Sequence, residues 1–123
     1  MIADQIISRN GRALSLLLAV QLFINGCHQS KAPETVQAER LMLEKGCVTC
    51  HTFSAMAEAT GLVGPPLDEF EKRSYIAGTL PNTDENLIQF LMHPQDFNNE
   101  SAMPNLDLTR AEAATLTHFL LNR

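Results

Sequence analysis

The sequence has no tryptophan, one tyrosine and six phenylalanines in 123 residues, so the largest core-filling side chains are scarce. It has three cysteines, an odd number and too few for the disulfide framework of a small secreted scaffold. No apolar run reaches the roughly 20 residues that a membrane-spanning helix needs. No stretch alternates apolar and polar residues long enough to predict a strand, and no internal repeat is present. Basic residues number 9 against 14 acidic ones, a formal net charge of −5, which argues against a nucleic-acid binder. There is no phosphate-cradling glycine loop, no nucleophile with a base and no acid/base pair, so nothing points to an enzyme. Length allows one domain, and a hydrophobic fraction of 45% is ordinary for a folded one.

The N-terminus carries Arg9 and Arg12, then the short apolar run ALSLLLAVQLFI at 13–24, then Asn25, Gly26 and Cys27. A basic start, a short apolar stretch and small residues before a break describe an export signal. With Ile24, Gly26 and Cys27 it resembles a bacterial lipoprotein signal, from which Asn25 and Asp4 depart. That resemblance implies cleavage before Cys27 and a lipid anchor on Cys27. Residues 1–26 are then the signal, 27–34 (CHQSKAPE) a tether containing the solvated His28, and 35–123 the domain. Removing the first 26 residues leaves 97, with 7 basic and 13 acidic side chains and a formal charge of −6.

A helix is expected from Thr35, with Val36, Leu41 and Leu43 as apolar positions and Gly46 as its stop. Residues 52–81 read as loop, broken by Gly61, Gly64, Pro65, Pro66, Gly78 and Pro81, with a helical turn over 67–73. Asn82 is a helix cap with Glu85 three residues on. Leu87, Ile88 and Leu91 form the apolar face of that helix, and Pro94 ends it. Residues 95–108 are a second loop. Thr109 and Glu112 form a capping box for a last helix with Ala113, Leu116, Phe119 and Leu120 inward and His118 towards solvent. The fold class is all-α, three to five helices joined by long loops. Thirty irregular residues in so small a domain make sense if they wrap something that is not protein.

The centre of the sequence is GCVTCHT, residues 46–52. Two cysteines three positions apart with a histidine directly after serve four chemistries: a covalent haem anchor, half a zinc site, a dithiol redox pair or a plain disulfide. A structural zinc needs four protein ligands, and no second CxxC or paired histidine supplies the fourth. A thioredoxin-like dithiol belongs beside a βαβ unit, which is missing. A disulfide leaves His51 unexplained. Covalent haem uses all three: Cys47 and Cys50 bond the porphyrin and His51 is an axial ligand of the iron. A large apolar macrocycle also supplies the interior that the side chains do not. For the sixth position Met56, Met92, His93, Met103 and His118 are candidates. Met103 is favoured, because Pro104 forces it into extended geometry and stiffens its loop.

The ordered set GCVTCHT, VGPPL, Arg73, AGTLPNTDENL and AMPNL, followed by the closing helix, resembles the class I cytochrome c domain from about Thr35 to Leu121. The stretch GTLPNTDENLIQFLMHPQ is similar to the cytochrome c domains fused to bacterial terminal oxidases and some quinoprotein dehydrogenases. The resemblance implies one covalently attached haem c with iron held by His51 and Met103. It further implies that the Pro65 carbonyl accepts from the free ring nitrogen of His51, that Leu67 packs on the ring, and that Arg73 faces a propionate. Phe119 falls at the family's helix-crossing aromatic. Phe90 stands where tryptophan is frequent, Ala38 near a usual glycine and Met42 for a usual phenylalanine.

The function so implied is electron transfer on a His/Met haem c, by a protein that is not an enzyme. It would be held on the periplasmic side through Cys27, as a monomer or a complex subunit. Its partners would be redox proteins (a terminal oxidase, a dehydrogenase or another cytochrome) and the membrane. Two alternatives stay open: a dedicated haem subunit of one oxidase or dehydrogenase, and a haem gas-binding or sensor module in which Met103 is displaced.

Overall fold

The computed structural model describes residues 31–123. Cys27, His28 and the expected signal lie outside these residues. The first helix, α1 (Pro33–Glu44), opens on its proline, two residues before the expected start at Thr35. At the first helical position a proline's missing N–H is no loss and its fixed φ suits the helix, so Pro33 and Glu34 of the expected 27–34 tether belong to α1. Ala38, Leu41 and Met42 are the buried stripe, at i, i+3 and i+4. The expected apolar positions Val36 and Leu43 are exposed instead. Gly46 ends the segment at φ +76°, where its amide donates to the Leu43 carbonyl at 3.2 Å. A side chain in that left-handed conformation would be strained. The single turn α2 (Cys47–Cys50) follows at once.

The loop from 52 to 69 is held by its own bonds. Thr52 bridges Thr60, and the Leu67 amide donates to the Thr52 carbonyl at 2.8 Å. The Asp68 carboxylate accepts from the Ser54 amide at 3.0 Å and from the Ser54 hydroxyl. Those two donors hold the Asp68 carboxyl below the usual carboxylate range. Phe53, Met56 and Ala59 turn inward and are buried. The helical turn expected over 67–73 is narrower, a 3-10 turn at Phe70–Lys72.

A two-stranded antiparallel ribbon was not foreseen: β1 (Tyr75–Ile76) pairs with β2 (Leu80–Pro81), Ile76 opposite Leu80. Two pairs are too few to leave an alternating pattern. Their connection puts both Ala77 (φ +48°) and Gly78 (φ +80°) in the left-handed region, as a tight hairpin turn requires.

Helix α3 (Asp84–Met92) is capped by Thr83, whose hydroxyl accepts from the Asn86 amide at 3.3 Å. The expected cap, Asn82, bonds elsewhere, and Glu85 pairs with Arg110 at 2.6 Å instead of reaching back. Leu87, Phe90 and Leu91 are buried, while Ile88 is half-buried. Pro94 does end α3 and opens the short α4 (Pro94–Phe97). The last helix, α5 (Arg110–Leu121), carries the expected capping box, the Thr109 hydroxyl accepting from the Glu112 amide at 3.2 Å. Ala113, Leu116, Phe119 and Leu120 are buried and His118 is exposed. Helix α5 packs against both α1 and α3. Met42, Leu87 and Leu116 are almost fully enclosed, and each such side chain stabilises the fold by about 1.5–3 kcal/mol. Phe53 meets Phe119 edge-to-face with centroids 5.8 Å apart. The architecture is thus helical apart from the ribbon, with loops closing around the space between α2, the ribbon and the segment at 101–106.

Candidate functional site

The α2 turn ends with the His51 backbone extended (φ −114°, ψ 145°), which carries the imidazole away from the helix axis. His51 Nδ1 lies 2.6 Å from the Pro65 carbonyl oxygen. A carbonyl only accepts, so Nδ1 carries the proton and Nε2 is the nitrogen left for a metal. Two glycines make this arrangement fit. A Cβ on Gly64 would fall on the His51 ring, 2.6 Å from Nδ1 and 2.8 Å from Nε2. A Cβ on Gly61 would strike the Thr49 carbonyl and the Cys50 backbone. The Gly64 amide donates to the Cys50 carbonyl at 2.7 Å and the Gly61 amide to that of Val48 at 3.2 Å. The glycine loop therefore lies directly on the CxxCH turn. In the sequence Gly61 and Gly64 stand out as breakers of any long element, with Gly64 also part of the VGPPL stretch.

Cys47, Cys50 and His51 open onto a mainly apolar cavity of about 370 Å³, within the range of sites that hold small ligands and cofactors. Cys47 and Cys50 form no disulfide with each other, and both are half-buried. Burial pushes the Cys47 thiol up. The other walls include Pro65, Leu67 and Arg73, together with Phe90 and Met103. All seven haem-site residues expected from the sequence thus line one cavity. The other candidates for a sixth ligand, Met56, Met92, His93 and His118, do not line it. Met103 is half-buried, and its amide donates to the Ser101 hydroxyl at 3.2 Å.

The structure adds wall residues that carried no signal in sequence, Phe70 and Ile76, and turns the inward helix positions Leu87, Leu116 and Leu120 to the same cavity. Ile76 and Phe70 sit in irregular segments where no period could mark them as inward. Arg73 bonds the Pro66 carbonyl and lies over the Phe70 ring, 5.0 Å from its centroid. Among the described residues no cluster of three or more His, Cys, Asp or Glu could hold a metal ion by itself. The zinc alternative therefore has no ligand set among the described residues. The chemistry of the lining fits a haem: two cysteine sulfurs, one imidazole with a single free nitrogen, the thioethers of Met42 and Met103, apolar walls and the cations of Lys45 and Arg73.

Comparison with known proteins agrees with this lining. The family model described as Cytochrome c matches residues 36–123. Cytochrome c oxidase subunit 2 of Alkalihalophilus pseudofirmus is 31% identical over 85 residues, which cover 68% of this chain. The match spans 24% of that relative's length. No solved structure matches.

Proposed function

The chain belongs to the cytochrome c family and carries a covalently attached haem c; from that premise we propose a one-electron carrier whose iron is held by His51 and Met103. Bound haem supplies a one-electron iron couple, and the residues described here set how it is held. Cys47 and Cys50 take the two covalent links. His51 offers Nε2, with its ring orientation and basicity fixed by the Pro65 carbonyl. Met103, followed by the φ-locked Pro104, offers a thioether from the loop before α5. The observation that carries this reading is the shared cavity: it gathers one histidine and two methionines, of which Met42 is packed in the buried stripe of α1 and Met103 sits in the loop before α5, and it leaves out the four rival ligands. A methionine ligand raises the reduction potential, and two protein ligands leave no open coordination position for a substrate. Arg73 brings a cation to the wall, suited to compensating a propionate.

The oxidised protein is expected to show the weak near-infrared sulfur-to-iron band, and Met103→Ala to abolish it. Persistence of the band in that variant would move the ligand to another methionine.

Sitting near a respiratory membrane is part of the same proposal. Its support is the segment from Arg9 to Cys27, with the basic start, short apolar run and cysteine of a lipoprotein signal. Mass spectrometry of the mature N-terminus should find an acylated Cys27. Cleavage elsewhere, or a bare thiol, would remove the anchor and leave the haem reading untouched. The relative's printed name, an oxidase subunit, favours a terminal oxidase as partner or as host complex. Copurification separates a subunit from a free shuttle.

A further inference from the structure

Asn82 was expected to cap α3 and does not. Its side-chain amide Nδ2 donates to the Phe70 carbonyl at 3.0 Å and to the Arg73 carbonyl at 3.0 Å. Its backbone amide donates to the Ser74 carbonyl, also at 3.0 Å. One residue therefore ties three carbonyls of a five-residue segment. The amide orientation is fixed by chemistry, because both side-chain partners are carbonyl oxygens and only the NH₂ can donate to them. Its Oδ1 is buried and has no partner. Capping, meanwhile, is already supplied by Thr83.

The clamped segment carries two walls of the haem cavity, Phe70 and Arg73. The Arg73 guanidinium lies over the Phe70 ring and bonds the Pro66 carbonyl. The preceding carbonyl, that of Pro65, receives the His51 bond. A continuous path thus runs from Asn82 through the 70–74 backbone and Arg73 to the Pro65–Pro66 pair.

We propose that Asn82 is a positioning residue for the haem: by clamping the carbonyls of Phe70, Arg73 and Ser74 it holds the Arg73 cation at the cavity wall and thereby helps set the reduction potential. This rests on the reading of the cavity as the haem site. A positive charge held near the iron favours the reduced form, which carries one positive charge fewer, so releasing Arg73 to solvent lowers the potential. Nothing in this role requires Asn82 to touch the haem.

The test is a midpoint-potential titration of haem-loaded protein for four forms: wild type, Asn82→Ala, Arg73→Gln and the double variant. Both single variants should titrate below the wild type. The double variant should match Arg73→Gln, because Asn82 acts through Arg73 and effects on one path do not add. An unchanged potential in Asn82→Ala, or shifts that sum in the double variant, would overturn the proposal. Where Asn82→Ala yields no holoprotein, Asn82→Ser, which keeps one donor, decides: a smaller fall supports the clamp and an unchanged value sinks it. Failure of the haem reading itself would look different, since the wild type would then show no c-type spectrum.

Discussion

Replacing Cys50 by serine should leave most of the purified chain without haem. Cys47 and Cys50 are the cysteines that line the cavity, so the serine variant keeps at most one covalent link. The consequence extends to stability. A chain that never acquires haem must either hold an apolar cavity of about 370 Å³ open to water or collapse it. At about 24 cal/mol per Å³, holding it is worth up to roughly 9 kcal/mol, an upper bound because the mouth is open. That is comparable to the whole stability of a typical domain, about 5–15 kcal/mol. The haem-free fraction should therefore lose its cooperative thermal transition. The check is haem content by absorbance against protein content, followed by melting of the separated haem-free fraction. A Cys50→Ser protein with full haem that resists acidified organic solvent would show that Cys50 carries no link.

Gly64→Ala should detach the histidine and keep the haem. The added methyl has no room beside the imidazole, and the obstacle is a ring held at both ends of its reach, not the free end of a flexible side chain. Either the ring turns, breaking the bond to the Pro65 carbonyl, or the 61–66 loop lifts from the CxxCH turn. Overpacking of this kind costs about 1–3 kcal/mol. Losing a partner that orients a metal ligand weakens metal binding by about 10–100-fold. The thioether links do not depend on that bond, so haem content should stay near wild type while the optical spectrum gains a high-spin component. A low-spin spectrum unchanged from wild type would mean that the loop yields without disturbing His51.

The sequence announced the parts of this site that are local. Cys47, Cys50 and His51 lie within five residues, and their chemistry follows from their order. The Thr109–Glu112 capping box is local too, and it stands as expected. What sequence could not rank was competition between neighbours. Asn82 and Thr83 are both competent caps, and the choice falls to Thr83 because the carbonyls of Phe70 and Arg73, 12 and 9 residues back, engage Asn82. The same limit hid the inward turn of Phe70 and Ile76, which depends on where the loop returns. Pro33 was misplaced because a proline that ends a tether and one that opens a helix look alike without the residues after it. Gly61 and Gly64 showed as irregularity, when their meaning is proximity to a turn 10 or more residues earlier.

The acceptor that orients His51 is a main-chain oxygen, from a residue exposed to solvent. No amino-acid substitution at position 65 can delete it, since every residue carries the same carbonyl. The position is therefore sheltered from loss by point mutation in a way that a carboxylate or amide side chain would not be. The same shelter removes the easy adjustment. A side-chain acceptor could be exchanged to retune the histidine, whereas a carbonyl can be moved only by redirecting the chain through Gly64, Pro65 and Pro66. Variation in the strength of this bond among descendants of the chain must then come from loop geometry, and an experiment that removes it outright calls for a change to the backbone itself.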